Sequence, residues 1–593
     1  MPAQLTIRFA NLGREVLAYK GETVLQCARR TGVRIVGACG GRGTCGSCKV
    51  RILSGDIHLV RPDAVDEECA EPRREWVRAC LVRPITDCIV EVASRAAAPV
   101  VRVDVEGDDT CAVYPLAPVV RSHDVELGGP VVAEVSPALE RLLAALGEGT
   151  ANRIDLGALQ TVPMMLNQNA WRLRASIRDG EMIGVGPHGQ RKIGLAVDLG
   201  TTNVAAYLTD LESGKCLARL GIENPQVAYG ADLITRVNHA IRTPHGHIEL
   251  QSAAVTAITS LAKDLCAAVD APVDAIVDIA VCANTAMHHL LLDLPVSQLG
   301  RAPFVPATCV ALDVKARDLG LAMLPGAYVH LLPNVGGFVG GDHVATLLAT
   351  EERWSDSTTV VIDIGTNTEV SLMHRGTIIT TSTASGPAFE GGNISAGMRA
   401  AEGAIERVRF VDGEIRIDVI GDVEPVGLCG SGVIDVLAAL REAEIINRRG
   451  SICSGHPGVR DNYGRREYLL ASQVAFTQDD VRAVQLAKAA IRAGLDMLLR
   501  EAGLAEEAIA HVVIAGAFGH YLDIASAIAI GMFPPLPMER FAQVGNAAGA
   551  GVRMALASGA TREHASHLAT RCRHLELGTR PDFQKAFLGR IGF

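Results

Sequence analysis

One short stretch, 39-CGGRGTCGSC-48, limits what this chain can fold into more than any other. Cys39, Cys45 and Cys48 are spaced C-x5-C-x2-C, and a fourth cysteine, Cys80, follows in 76-WVRACLVRP-84. Three thiolates on one loop and one from afar can converge on a metal centre if the loop turns tightly, which its glycines allow. A four-thiolate zinc site is the alternative, but a zinc ribbon would want a second C-x2-C pair near Cys80, and the sequence has none there. Two irons bridged by sulfide suit the layout better, since sulfides also need backbone N–H donors from such a loop.

The flanks agree. The segments 5-LTIRFA-10 and 15-EVLAYK-20 read as a hairpin, 23-TVLQCARRTG-32 as a short helix, and 48-CKVRIL-53 and 88-CIVEV-92 as later strands, a β-grasp order. The whole resembles the 2Fe-2S ferredoxins: plant-type members space their cysteines C-x4-C-x2-C with a distant fourth, and the extra residue in the first gap is similar to the adrenodoxin-like branch. Cys27, Cys69, Cys88 and Cys111 lack ligand spacing, and Cys27 reads as a small core residue on a helix face.

At 593 residues the chain exceeds one hydrophobic core and divides into three or four domains. A net charge of −10 gives no basic footprint for nucleic acid. No signal peptide is visible and no apolar run reaches the ~18 residues of a membrane span; 512-VVIAGAFGHYLDIASAIAI-530 is broken by His520 and Asp523. The fifteen cysteines then read as reduced thiols of a cytoplasmic protein.

Two distant segments look alike: 194-GLAVDLGTTNVAAYLTD-210 and 360-VVIDIGTNTEVSLMH-374. Each is a buried strand ending in Asp, a Gly-Thr turn and a second strand, so that backbone N–H groups and threonine hydroxyls can cradle phosphate oxygens. Asp198 and Asp363 can each reach a Mg2+, directly or through water. A third motif, 512-VVIAGAFGHYL-522, suits close backbone approach to a base or ribose. Between them lie 385-SGPAFEGG-392, with Glu390, and 427-GLCGSGVIDVLAAL-440, a glycine turn opening a helix towards a nucleotide. Glycine-rich joints at 336-GGFVGGD-342 and 545-GNAAGAGV-552 are expected crossings between lobes.

This ordered set resembles the actin, sugar-kinase and heat-shock-chaperone ATPase superfamily, over roughly residues 192–593. The resemblance implies two ribonuclease-H-like lobes with nucleotide between them. Asp198, Gly200, Thr201, Thr202 and Asn203 would form one phosphate loop and Asp363, Gly365, Thr366 and Asn367 the other. Gly430 and Ser431 would open the facing helix, and Gly516, Ala517 and Phe518 would border the adenosine.

Residues 94-SRAAAPVVRV-103 shift to small residues and proline and the stretch to about 122 has little periodicity, so 96–122 reads as a linker that would leave the ferredoxin tethered and mobile. Residues 123–191 read as a small α+β domain, with a helix at 136-SPALERLLAALG-147 and alternation in 171-WRLRASIRDGEMIGVGP-187. The expected fold is therefore multidomain α/β and α+β: a β-grasp ferredoxin (1–95), a linker (96–122), a small middle domain (123–191) and a two-lobed actin-like ATPase (192–593).

An electron carrier fused to an ATPase makes sense if nucleotide changes the energetics of electron transfer. Plant-type clusters sit near about −400 mV; an acceptor roughly 200 mV lower costs about 4.6 kcal/mol per electron. Over its full length, through ACGGRGTCGSC, AVDLGTTNV, IDIGTNTE, LCGSG and IAGAFG, the chain resembles the reductive activators of corrinoid proteins. The resemblance implies an ATP-dependent enzyme with a 2Fe-2S cluster, ATP and Mg2+. It would return inactive cob(II)alamin on the corrinoid protein of a methyltransferase system to cob(I)alamin, draw electrons from an external low-potential donor, and dimerise through the ATPase domain.

Rival readings are a redox-regulated small-molecule kinase and a nucleotide-binding redox sensor. A kinase would need a positioned base, for which Asp363 and Glu390 are the acidic candidates. Activators of 2-hydroxyacyl-CoA dehydratases share the ATPase lobe but carry a 4Fe-4S cluster between subunits in place of a fused ferredoxin. Cys429 and the stripe 321-LAMLPG-326 read as core. His288 and His289, adjacent on one helix, point about 100° apart and do not form a ligand pair.

Overall fold

The structure, a computed structural model, describes residues 4–31, 33, 35, 41, 43, 48–60, 76–93, 102–103, 116–129, 136–230, 232–321, 323–391, 393–462, 464–516, 518–519 and 521–593. At the N-terminus the strands Gln4–Phe9 and Arg14–Tyr19 pair antiparallel, with Ile7 opposite Val16. Cys88–Val92 runs parallel to the first strand, and Lys49–Ser54 and Trp76–Arg78 extend the sheet beyond it. The helix Val24–Arg30 starts at Thr23, whose side chain accepts from the Gln26 N–H while Gln26 reaches back, a reciprocal cap. Its buried Val24, Leu25, Cys27 and Ala28 close the core over Ile7, Phe9, Val50 and Val90. This is the β-grasp arrangement read from the sequence.

Arg102–Val103 adds an edge strand beside Ala218 and Arg219. A four-stranded sheet then forms from Val120–Glu126, Arg153–Ile154, Arg172–Arg178 and Glu181–Pro187, backed by helices Ala138–Leu146 and Leu156–Gln168 around Leu142, Val162 and Leu166.

Two larger sheets follow the same plan. In the first, Ile193–Leu199 lies antiparallel to Asn203–Asp210 and parallel to Ile276–Ala283, with Cys216–Glu223 outside the hairpin. In the second, Thr359–Ile364 lies antiparallel to Thr368–His374 and parallel to His511–Ala515, with Thr377–Thr383 outside. The internal sequence repeat is thus a structural repeat. Each sheet has its own core, one around Leu195, Val197 and Ile279, the other around Val360, Ile362 and Ile514. The long helix Gln478–Ala502, capped by Thr477 with Asp480 and ended by Gly503 in a left-handed conformation, packs on the second.

The chain crosses between lobes at the two glycine-rich joints. Helix Gly341–Ala349 follows the first lobe but buries Val344, Leu347 and Leu348 with Val361 and Val513 of the second. Helix Ala547–Ala557 follows the second but buries Val552, Ala555 and Leu556 in the core of the first. The two helices pack on each other. The ferredoxin is seated on the first lobe: its helix Val24–Arg30 packs against the turn Pro225–Tyr229, and Arg29 Nε lies 2.7 Å from Glu223 Oε2. Among the described residues no helix is long and apolar enough to cross a membrane.

Candidate nucleotide cleft and iron–sulfur site

Both Gly-Thr turns are held from behind. Asn224 donates its side-chain N–H to the Gly200 carbonyl and its backbone N–H to the Thr202 carbonyl, each 2.8 Å. Under the second turn, Ser385 Oγ lies 2.8 Å from Thr368 Oγ1 and 3.4 Å from the carbonyls of Gly365 and Thr366. The turns face each other across a cavity of about 500 Å3 lined by Asp198, Gly200, Thr201, Thr202, Asn203, Asp363, Gly365, Thr366, Asn367, Glu390, Gly516 and Phe518. They touch where Thr202 Oγ1 meets Thr366 Oγ1 at 2.7 Å, and Thr366 Oγ1 also lies 2.9 Å from Glu390 Oε1.

Acidic side chains crowd this cavity. Asp198 accepts from Asn546 Nδ2 at 3.0 Å and Asp363 from Thr346 Oγ1 at 2.6 Å. Burial raises both above the ordinary carboxylate range, Asp363 to about 6. Asp342 and Glu369 are raised as well, both first by burial, then Asp342 by repulsion from Asp363 and Asp198 and Glu369 by repulsion from Asp342 and Asp363. Glu390 is raised by burial against the pull of Thr202, Thr366 and Arg399, and its Oε2 is buried without a hydrogen-bond partner. Carboxylate oxygens held together out of water call for a cation. The donor set is all oxygen, as Mg2+ demands, and the threonine hydroxyls and turn amides suit the phosphates it would accompany.

At the far end, Gly516 has φ +94°, and a Cβ there would lie 2.3 Å from the Ile364 carbonyl, so only glycine lets this turn lie against the second phosphate strand. Phe518 stacks on Phe389 at 5.8 Å, an apolar wall fit for a base. Gly430 and Ser431 do not line the cavity. Gly430 packs behind Phe518, where a Cβ would come within 2.6 Å of the ring, and Ser431 Oγ donates to the Glu406 carbonyl at 2.9 Å. Ala517 lies outside the described residues.

Five polar lining residues are not among those the sequence singled out: Asn284, Asp342, Glu369, Arg399 and Asn546. Asp342 and Asn546 stand in the two glycine-rich joints, and the overlooked signal was a polar residue at a helix start; Asn546 caps its helix by accepting from the Gly549 N–H.

In the ferredoxin, Cys48 and Cys80 come together with Sγ atoms 3.4 Å apart, too far for the ~2.05 Å of a disulfide and near the spacing of two thiolates on one tetrahedral metal ion. The Ala79 N–H donates to the Cys48 carbonyl at 2.8 Å, and Arg78 Nη1 donates to the Gly43 carbonyl at 2.6 Å, tying the cluster loop to the strand before Cys80. Cys39 and Cys45 lie outside the described residues, and among those described no three ligands cluster. Cys27 and Cys88 are buried, and burial pushes their thiols up to about 12 and about 11. Such thiols are poor ligands. Cys429 is buried beside the Ile405 carbonyl. His289 is used up within the fold: Nδ1 lies 2.7 Å from the Thr285 carbonyl and Nε2 accepts from the Ala307 N–H.

A cysteine-bearing β-grasp domain and a two-lobed phosphate cleft on one chain define an iron–sulfur protein fused to an actin-like nucleotide-binding module. Four family models match in sequence: "2Fe-2S iron-sulfur cluster binding domain" over residues 8–84, "RACo linker region" over 111–192, "RACo middle region" over 193–353 and "C-terminal domain of RACo the ASKHA domain" over 357–593. The chain is 30% identical over 607 residues to the corrinoid activation enzyme RamQ of Eubacterium limosum, covering 98% of each. It is 25% identical to the [Co(II) methylated amine-specific corrinoid protein] reductase of Methanosarcina barkeri, over 68% of this chain and 77% of that one. A solved structure titled "Reductive activator for corrinoid,iron-sulfur protein" aligns at 31% identity and TM-score 0.72, over 99% of this chain and 98% of its own. The chain belongs to the family of reductive activators of corrinoid proteins. In the family's division the small sheet of residues 120–187 falls in the linker region, and the first lobe is the middle region.

Proposed function

We propose that this chain is an ATP-dependent reductive activator that passes one electron from a 2Fe-2S cluster on Cys39, Cys45, Cys48 and Cys80 to the inactive cob(II)alamin of a corrinoid methyl-carrier, restoring cob(I)alamin. What carries the reading is the presence on one chain of the Cys48–Cys80 thiol pair and the two-turn cleft, in an order shared end to end with proteins named for corrinoid activation. On this reading residues 1–95 are the electron carrier, 96–122 a tether, 123–191 a small middle domain and 192–593 the ATPase.

The cluster supplies a one-electron couple; an external low-potential donor returns the electron it gives up. In the cleft, the turns Gly200–Asn203 and Gly365–Asn367 bind phosphate oxygens, Asp198 and Asp363 hold Mg2+ directly or through water, and Glu390 offers Oε2 to the attacking water. Gly516, Ala517 and Phe518 border the adenosine. ATP need not touch the electron. Displacing a ligand from the partner's Co(II) raises its reduction potential, and lobe movement is the means by which nucleotide does that work. The thiol-rich chain suits a reducing cytoplasm, and the active form is a dimer through the ATPase domain.

The test combines cluster-loaded protein, a strong reductant, a cob(II)alamin-loaded carrier and MgATP, following cob(I) absorption. Reduction only with MgATP is expected. Phosphoryl transfer to a small molecule without any cobalt reduction would establish the kinase alternative.

A further inference from the structure

Glu223 ends the strand whose Gly221 and Ile222 line the nucleotide cavity. Its two carboxylate oxygens go to two different parts of the molecule. Oε2 lies 2.7 Å from Arg29 Nε on the ferredoxin helix, and Oε1 lies 3.1 Å from Arg399 Nη2, which belongs to the second lobe and lines the cavity. The next residue, Asn224, is the strap on the first phosphate turn. One carboxylate thus joins ferredoxin, first lobe and second lobe at the mouth of the cleft. Arg29 is mostly buried, and Glu223 is the one carboxylate within ion-pair distance of it among the described residues, a contact of opposite charges without hydrogen-bond geometry at Nε.

Resting on the nucleotide reading above, we infer that Glu223 and Arg399 couple phosphate in the cleft to the seating of the ferredoxin domain. Two guanidiniums share one carboxylate, so each weakens the hold of the other. Arg399 is 40% exposed and has room to turn, and a polyphosphate outcompetes a single carboxylate for it. Once Arg399 turns to phosphate, Glu223 belongs to Arg29 alone. Nucleotide therefore seats the ferredoxin more firmly, and its loss returns Glu223 to divided use and loosens the domain. The coupling is reciprocal: a seated ferredoxin occupies Glu223, releases Arg399 and strengthens nucleotide binding.

The test is a double-mutant cycle on the full-length, cluster-loaded chain, titrated with Mg2+ and the β,γ-imido analogue of ATP. Arg29→Ala, remote from the phosphates, is expected to weaken binding about fivefold; Arg29→Lys should recover part of that loss. In an Arg399→Ala background the Arg29 substitution should change nothing further. The cluster spectrum and melting temperature of each variant establish that it is folded. Unchanged or tighter binding by Arg29→Ala would overturn the coupling, as would an equal loss with Arg399 absent. Failure of the unaltered chain to bind the analogue at all would overturn the nucleotide reading and the coupling with it.

Discussion

Thr202 and Thr366 stand 164 residues apart in sequence and 2.7 Å apart at their hydroxyls, the point where the two Gly-Thr turns touch. Thr366 extends this contact to Glu390. Phosphate and Mg2+ would enter a site already organised by its own hydroxyl and carboxylate groups, with little reordering cost.

Removing that hydroxyl should be felt in the cleft and nowhere else. Thr366→Val keeps the shape but leaves Glu390 with one fewer donor, so MgATP affinity should fall about tenfold, the value of one buried hydrogen bond to a charged group. Titration calorimetry checks the affinity, and the cluster spectrum should be unaltered.

Cys45→Ser and Cys80→Ser should each abolish the EPR signal of a single 2Fe-2S centre in the reduced protein, with nucleotide binding intact. Cys27→Ala should retain the signal, because Cys27 is a core residue of the helix. Zinc in place of iron in protein purified without oxygen would contradict the cluster assignment.

Asp363→Ala should lower ATP turnover at least about a hundredfold, the scale of losing an electrostatic group at the reacting phosphate, while the cluster is preserved. Asp198→Ala should act likewise. Unchanged turnover in either would remove that residue from the Mg2+ site.

Acidity should matter in a direction set by Asp363. Its folded pKa of about 6 lies above the ~3.9 of an unfolded aspartate, so its contribution to stability is fully present below about pH 4 and is lost as pH rises through about 6. Asp342 and Glu369 are displaced the same way and add to this loss. Metal needs the ionised carboxylate. Nucleotide-free protein should therefore melt lower at pH 7 than at pH 5, while the gain in Tm from MgATP grows over that interval. Asp363→Asn should flatten both trends, and an equal MgATP gain at both pH values would contradict the assignment.

The sequence showed most clearly the features that depend on local spacing. The N-terminal hairpin, the Asp-Gly-Thr hairpins and the short helix after Thr23 each carry their geometry within a few residues, and these strands and this helix fall where alternation and turn residues put them. What escaped depends on the tertiary path. Asp342 and Asn546 reach the cleft because two helices cross between lobes. Arg399 arrives on a loop that no periodicity marks. Gly430 and Ser431 went astray for the opposite reason: a glycine turn before a helix looks like a phosphate site, but here Phe518 takes the position facing the cavity and the glycine makes room for its ring. The pairing of Arg29 with Glu223 joins two domains and has no local signature at all.

The most direct measurement is a single turnover. The cluster is reduced chemically, excess reductant is removed, and the protein is mixed with a cob(II)alamin-loaded carrier while cluster oxidation and cob(I) formation are followed together. With MgATP, one cob(I) should appear for each cluster oxidised, and without nucleotide or with Asp363→Ala neither signal should change. Cobalt reduction at the same rate without nucleotide, or MgATP hydrolysis with no electron leaving the cluster, would contradict the account.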